Sequence, residues 1–232
     1  VIENNSSRLA ILFDIDGTLI DSAGAGGRAL LTALQHEFGV PRALAVPLHG
    51  RTDLGIMSEL LAANHVSVTE ENLARLTERY LELLPAELAA RSGRILPGVL
   101  PLLESLKADC GCCLGLLTGN TPRSARGKLE HFGLWDFFKF GVFGDVAHHR
   151  PELSPLALAA IEQHGCSGQS AARVPVVIGD TPLDVELACV MGARCLAVCT
   201  GGFAESELTA AGATRVVADL STTEEILDWL FT

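Results

Sequence analysis

Three stretches place carboxylates or hydroxyls where an apolar run stops. The first is Asp14-Ile15-Asp16-Gly17-Thr18, which follows Leu9-Ala10-Ile11-Leu12-Phe13. Two carboxylates two residues apart, leaving a strand into a glycine turn, can address one point in space. One carboxylate can attack phosphorus while the other protonates the leaving oxygen. Taken alone, the same letters also make an acidic turn with Asp16 capping a helix. The second stretch, Thr118-Gly119-Asn120-Thr121-Pro122, offers a hydroxyl and free backbone N–H groups at a helix start. Such a start suits phosphate oxygens, or is simply a capped helix with proline in its first turn. The third is Gly179-Asp180-Thr181-Pro182-Leu183-Asp184. Its two acids are hard oxygen ligands of the kind Mg²⁺ takes, or else a cap and a first-turn acid. Each stretch is ambiguous singly; their succession at three strand ends is not.

The elements that must position these residues follow from hydrophobic periodicity. Buried parallel strands are expected at 9–13, 113–117, 140–143, 174–178 and 194–198, with a weaker one at 215–217. Helices are expected at 122–132, 153–164, 182–191, 205–211 and 223–230. This alternation predicts an α/β fold with a Rossmann-like, doubly wound parallel sheet, whose ligands sit beyond the carboxyl ends of the strands. The interval from Asp21 to about Ile95 breaks the rhythm. Leu54, Met57, Leu60 and Leu61 share one helical face, and Leu73, Leu76, Tyr80, Leu83 and Leu84 another. A small all-helical cap over residues 21–95 is therefore expected after the first strand, on a core formed by 1–20 and 96–232.

Composition narrows the partners. The 232 residues carry 17 Lys and Arg against 28 Asp and Glu, a net charge of −11, with 48% hydrophobic residues. Broad attraction to nucleic acid or anionic lipid is not expected at that charge. An anionic substrate then needs a metal ion and a few local cations at one site. No apolar run approaches the ~20 residues of a membrane span. The run before Asp14 is too short for a signal peptide, and a cytoplasmic protein is expected. The seven cysteines, with the Cys110-Gly111-Cys112-Cys113 group among them, lack the paired spacing of a metal site and read as buried, reduced thiols.

The three motifs together resemble those of the haloacid dehalogenase-like hydrolases, over about 9–218. The DxDGT signature stands at Asp14–Thr18, the second motif at Thr118-Gly119-Asn120 and the fourth at Gly179–Asp184. The stretch Gly50-Arg51-Thr52-Asp53 is similar to the cap loop of the phosphoglycolate phosphatase and β-phosphoglucomutase branch. The resemblance implies that Asp14 is a nucleophile forming an aspartyl-phosphate, and that Asp16 protonates the departing alcohol and then activates water. It implies Mg²⁺ held by Asp14, the main-chain carbonyl of Asp16 and Asp180, with Asp184 in support. Thr118 would bond the transferring phosphoryl group, and Gly17, Thr18, Gly119 and Asn120 would complete its cradle. His49, Arg51 and Thr52 are cap candidates for the rest of the substrate, although Arg51 also suits a plain surface position.

One position departs from the family pattern. A lysine usually precedes proline at the third motif; here the residues are His148-His149-Arg150-Pro151. Arg150 keeps the charge with a different geometry. Lys128 is the rival, ~10 Å along the helix after Thr118, with a side chain tilted back toward the helix start. Both stand as candidates for the site's cation, while His148 and His149 read as loop residues. Within the family, a dehalogenase would lack the second Asp, and a phosphonate hydrolase would need a cap lysine that 21–95 lacks. A phosphomonoesterase acting on a small phosphorylated metabolite is expected, phosphoglycolate foremost, from a monomer or weak homodimer. Phosphoglucomutase-like transfer and an inert binding module on the same fold are the alternatives.

Overall fold

In a computed structural model, which describes residues 9–109, 111–165 and 174–232, six strands form one parallel sheet. They are β1 (Leu9–Phe13), β4 (Cys112–Leu117), β5 (Phe140–Val142), β6 (Val176–Gly179), β7 (Arg194–Val198) and β8 (Arg215–Val217). Their spatial order is β5-β4-β1-β6-β7-β8. The chain thus builds outward from β1 in one direction, then restarts on its other side with β6, which opens a crevice at the carboxyl end of the sheet beside β1. Alternation along β1 explains why its run is continuously apolar. Leu9, Ile11 and Phe13 enter the core on one face of the sheet, while Ala10 and Leu12 enter that on the other.

Helices α4 (Val99–Ala108), α5 (Pro122–His131), α6 (Ser154–Gln163), α7 (Pro182–Met191), α8 (Glu205–Ala210) and α9 (Thr223–Phe231) cover the sheet. The expected elements recur, 9–13, 182–191, 194–198 and 215–217 unchanged and the others with ends shifted by a residue or two. Helix α4 went unanticipated.

Beyond β1 the chain forms β2 (Ile20–Asp21), crosses three helices, and returns through β3 (Arg94–Ile95). The two short strands pair antiparallel, Ile20 with Ile95 and Asp21 with Arg94. The helices are α1 (Ala25–Phe38), α2 (Asp53–Ala63) and α3 (Glu70–Ala89). They share their own core, in which Leu34, Leu60, Leu61 and Leu76 are fully buried. Ile56 joins that core where Leu54 was expected; Leu54 is half-buried. Among the described residues no helix is long and apolar enough to cross a membrane.

The cysteines divide. Cys189, Cys195 and Cys199 are free, and burial pushes the Cys195 thiol well up. Cys113 is disulfide-bonded, which corrects the reading of reduced thiols throughout. Cys110 and Cys166 lie outside the described residues.

Candidate active site

The register of three strands brings the motifs together. Phe13 pairs with Leu116 on one side and Ile178 on the other, so β1, β4 and β6 end side by side. Asp14 follows β1, Thr118 follows β4 and Asp180 follows β6. Carboxylate oxygens of Asp14, Asp180 and Asp184 lie within 4.8 Å of one another, and all three residues are buried. Asp180 is fixed by Thr18, whose hydroxyl donates to its Oδ1 at 2.8 Å. Gly17 makes room for it: at φ +85° a Cβ there would lie 2.4 Å from Asp180 Oδ2.

Asp184 divides its oxygens. Oδ2 closes a capping box on α7, accepting from the Thr181 hydroxyl at 2.7 Å and the Thr181 N–H at 3.0 Å. Oδ1 is buried, accepts no hydrogen bond, and meets the Arg150 guanidinium in an ion pair. Three clustered carboxylates with one such oxygen fit a hard divalent cation. Burial raises the Asp14 carboxyl from 3.8 to about 6, against the pull of Arg150. Burial, with Asp184 and Asp14 adding to it, holds Asp180 well above the ordinary range. Uncompensated negative charge of this kind is what a bound cation relieves.

Each cation takes a different acid. Arg150, in a 3₁₀ turn at Arg150–Leu153, donates through Nη2 to Asp14 Oδ1 at 2.8 Å and to the Leu117 carbonyl at 3.0 Å. Lys128, on α5, donates to Asp16 Oδ2 and to Asn120 Oδ1, each at 2.6 Å. Burial works against the Asp16 charge, yet the Lys128 ammonium and the Asn120 amide carry its carboxyl below the usual value. Asn120 Nδ2 also donates to Thr118 Oγ1 at 2.8 Å. Thr118 therefore accepts with its hydroxyl oxygen, leaving the hydroxyl proton for another acceptor.

A cavity of about 240 Å³ opens over Asp14 and Asp16, with Arg51, Asn120, Lys128 and Arg150 among its polar lining. An apolar part of its lining comes from the segment between β2 and β3: Gly26, Gly27, Leu30, Leu48, Ile56 and Tyr80. His49 lines it as well. Thr18, Thr52 and Thr118 do not. Thr52 is fully buried; its hydroxyl caps α2 through the Gly55 N–H and donates to the His148 carbonyl at 2.9 Å. Thr52 thus ties the start of α2 to the segment around His148 and does not line the cavity. Arg51 is steadied by Glu59 at 2.6 Å and by the Pro47 carbonyl at 3.0 Å. Gly119 lets this cap loop approach: a Cβ there would sit 1.9 Å from the Arg51 carbonyl oxygen.

Two residues of the site were not among the expected site residues, although Asp53 closes the Gly50–Asp53 stretch. Asp53 begins α2, and its Oδ2 accepts from the Thr121 N–H at 2.7 Å and the Ser124 hydroxyl at 3.0 Å. Burial raises its carboxyl. Tyr80, buried on α3, reaches the same cavity, and burial raises its hydroxyl too. A carboxylate opening a helix beside a tight loop was the available signal for Asp53.

Residues 11–198 match the family model described as haloacid dehalogenase-like hydrolase. The chain is 30% identical to a phosphoglycolate phosphatase of Rhodospirillum rubrum over 232 residues, covering 95% of this chain and 90% of that one. A hydrolase from Pseudomonas syringae has the same fold, with a TM-score of 0.70 at 26% identity over 96% of this chain and 99% of that one. A variant of CbbY from Rhodobacter sphaeroides, solved with xylulose-(1,5)bisphosphate, reaches 0.73 at 20% identity, covering 92% and 95%. That last likeness speaks for the fold alone. With a family match running through all three strand-end motifs, the chain belongs to the haloacid dehalogenase-like hydrolases.

Proposed function

We propose that the protein is a Mg²⁺-dependent phosphatase that hydrolyses a small phosphorylated metabolite through an aspartyl-phosphate on Asp14, with phosphoglycolate as the first candidate. The observation that carries this reading is the separation of the two acids of one strand end. Asp14 Oδ1 is paired with Arg150 beside the carboxylate cluster, while Asp16 is drawn off toward Lys128 and Asn120. One carboxylate is thereby dressed as a nucleophile facing cations and the other as a proton carrier.

Asp14 attacks phosphorus, and Asp16 gives its proton to the ester oxygen as the alcohol leaves. Asp16 then takes a proton from the water that opens the aspartyl-phosphate. Arg150 bonds the phosphoryl oxygens, and the free hydroxyl proton of Thr118, a buried residue outside the cavity lining, is the further donor this reading assigns to them, since phosphoryl transfer is chiefly positioning and charge stabilisation. Asp14, Asp180 and the Asp16 main-chain carbonyl would hold Mg²⁺, with Asp184 in support, and the ion would supply charge neutralisation at the phosphoryl group. Residues 21–95 act as the cap over a catalytic core of 1–20 and 96–232, with Arg51 reaching the alcohol portion of the substrate. The R. rubrum relative's name supports phosphoglycolate as the first ester to try.

The test is phosphate release from phosphoglycolate, sugar phosphates, nucleoside monophosphates and pyrophosphate, with Mg²⁺ and with EDTA. Magnesium-dependent release with one favoured monoester is expected. No release from any of them would overturn the phosphatase reading and favour transfer or a binding role.

A further inference from the structure

We propose that Lys128 is a positioning residue for Asp16, serving the acid that protonates the leaving alcohol, while Arg150 alone serves Asp14 and the phosphoryl group. The assignment rests on the phosphatase reading above and goes beyond it by giving the two cations separate tasks.

The geometry around Asp16 is asymmetric. Its Oδ2 accepts from Lys128 Nζ at 2.6 Å and from Asn120 Nδ2 at 2.9 Å. The Lys128 ammonium also donates to Asn120 Oδ1 at 2.6 Å, which closes a triangle of three side chains. Among the described residues, Asp16 Oδ1 has only a long contact, 3.5 Å, from the Ser22 hydroxyl. Two donors on one oxygen fix the rotation of the carboxyl group and leave the other oxygen to handle a proton. The holder is buried and the held group is accessible: the Lys128 side chain is 6% exposed and that of Asp16 39%. Arg150 shows the complementary pattern, with its bonds to Asp14, Asp184 and the Leu117 and Gly50 carbonyls.

During attack, the Asp14 oxygen–phosphorus bond forms and the ester oxygen–phosphorus bond breaks. The proton that Asp16 Oδ1 takes from solvent before attack passes to the ester oxygen, and the electron pair of the broken O–H bond stays on the carboxylate, the form that the Lys128 ammonium and the Asn120 amide favour. That new charge appears on a group already bonded to an ammonium and an amide, so no donor has to move at the moment of transfer.

The experiment compares kcat/KM for p-nitrophenyl phosphate, whose leaving group needs little protonation, with that for the best alkyl ester of the panel. Lys128→Met is expected to lose on the order of 10²-fold on the alkyl ester and less than ~10-fold on the aryl ester. Asp16→Asn should show the same ordering, and the double variant should be no worse than Asp16→Asn alone. Inhibition by inorganic phosphate should stay within ~3-fold of wild type. If Lys128→Met fails to melt cooperatively, Lys128→Gln, which removes the charge but keeps a neutral donor, replaces it, with smaller losses expected in the same order, the alkyl ester losing more than the aryl ester. Equal losses on both esters with weakened phosphate inhibition would overturn the proposal, because Lys128 would then grip the phosphoryl group. Wild-type rates on both esters would overturn it as well. Wild-type protein that hydrolyses neither ester would instead refute the phosphatase reading on which it stands, a result visible before any variant is made.

Discussion

The Arg150 guanidinium donates to the Asp14 carboxylate at 2.8 Å across 136 positions of sequence, and the same nitrogen meets Asp184. All three groups are buried, so the arginine answers two carboxylates that have little contact with water. Removing one member of such a cluster leaves charge with no partner. Arg150→Ala is therefore expected to lower stability by ~3–5 kcal/mol. Added Mg²⁺ should recover part of the loss by binding only the folded state. Thermal melts with and without Mg²⁺ check this, and an unchanged melting temperature would contradict it.

Asp14→Asn should reduce phosphate release on the order of 10⁴-fold or more, the scale seen when a nucleophile is removed. The amide nearly preserves the shape of the carboxyl, so the fold should survive, as far-UV circular dichroism would report. Substantial Mg²⁺-dependent turnover in this variant would rule out the covalent route.

The titration of Asp14 carries a sign that can be measured. Burial raises its carboxyl from 3.8 to about 6, so the folded state binds this proton more tightly than the unfolded chain does. Its contribution to stability is fully present below about pH 4 and is lost as pH rises through about 6. In metal-free protein the melting temperature of wild type relative to Asp14→Asn should fall across that window. Because the cation needs the deprotonated carboxylate, stabilisation by Mg²⁺ should grow across the same window. A wild-type-minus-variant difference flat with pH would refute the shift.

In the cap, Arg51 and Thr52 are adjacent but predict opposite kinetics. Arg51→Ala should raise KM by ~10-fold with little change in melting, since its pair with Glu59 is partly exposed. Thr52→Val should cost ~1 kcal/mol of stability through the lost cap of α2 while KM stays near wild type. A raised KM for Thr52→Val without lost stability would restore it to the substrate's side of the loop.

Much of the fold was legible because the central strands are buried on both faces and so appear as unbroken apolar runs, each ending in a polar residue. Asp14, Thr118 and Asp180 could be found for that reason. Helix α4 was missed although Val99, Leu102, Leu103 and Leu106 have helical spacing. Pro101 and the preceding Pro97-Gly98 made the stretch read as a returning loop. Strands β2 and β3 contain two residues each, too few for any period to register. Asp53 and Tyr80 act through neighbours distant in sequence, which no spacing reveals. The same limit applied to Lys128 and Arg150. Their charge was visible, but which acid each would meet depends on how α5 and the 3₁₀ turn pack against β1.

The pairing of Ile20 with Ile95 gives the cap an origin and an end at a single point of the core. The length of an excursion whose two ends already touch is set only by its own packing, and lengthening such a loop costs little closure entropy. The excursion can be exchanged as a cassette: grafting another helical insert between these two strands would replace the wall formed by Leu30, Leu48, Ile56 and Tyr80 while leaving every strand-end carboxylate in its frame. Selectivity and reactivity thereby sit on different segments of this scaffold, joined along the chain at two residue pairs and across the site by Thr52 and Asp53.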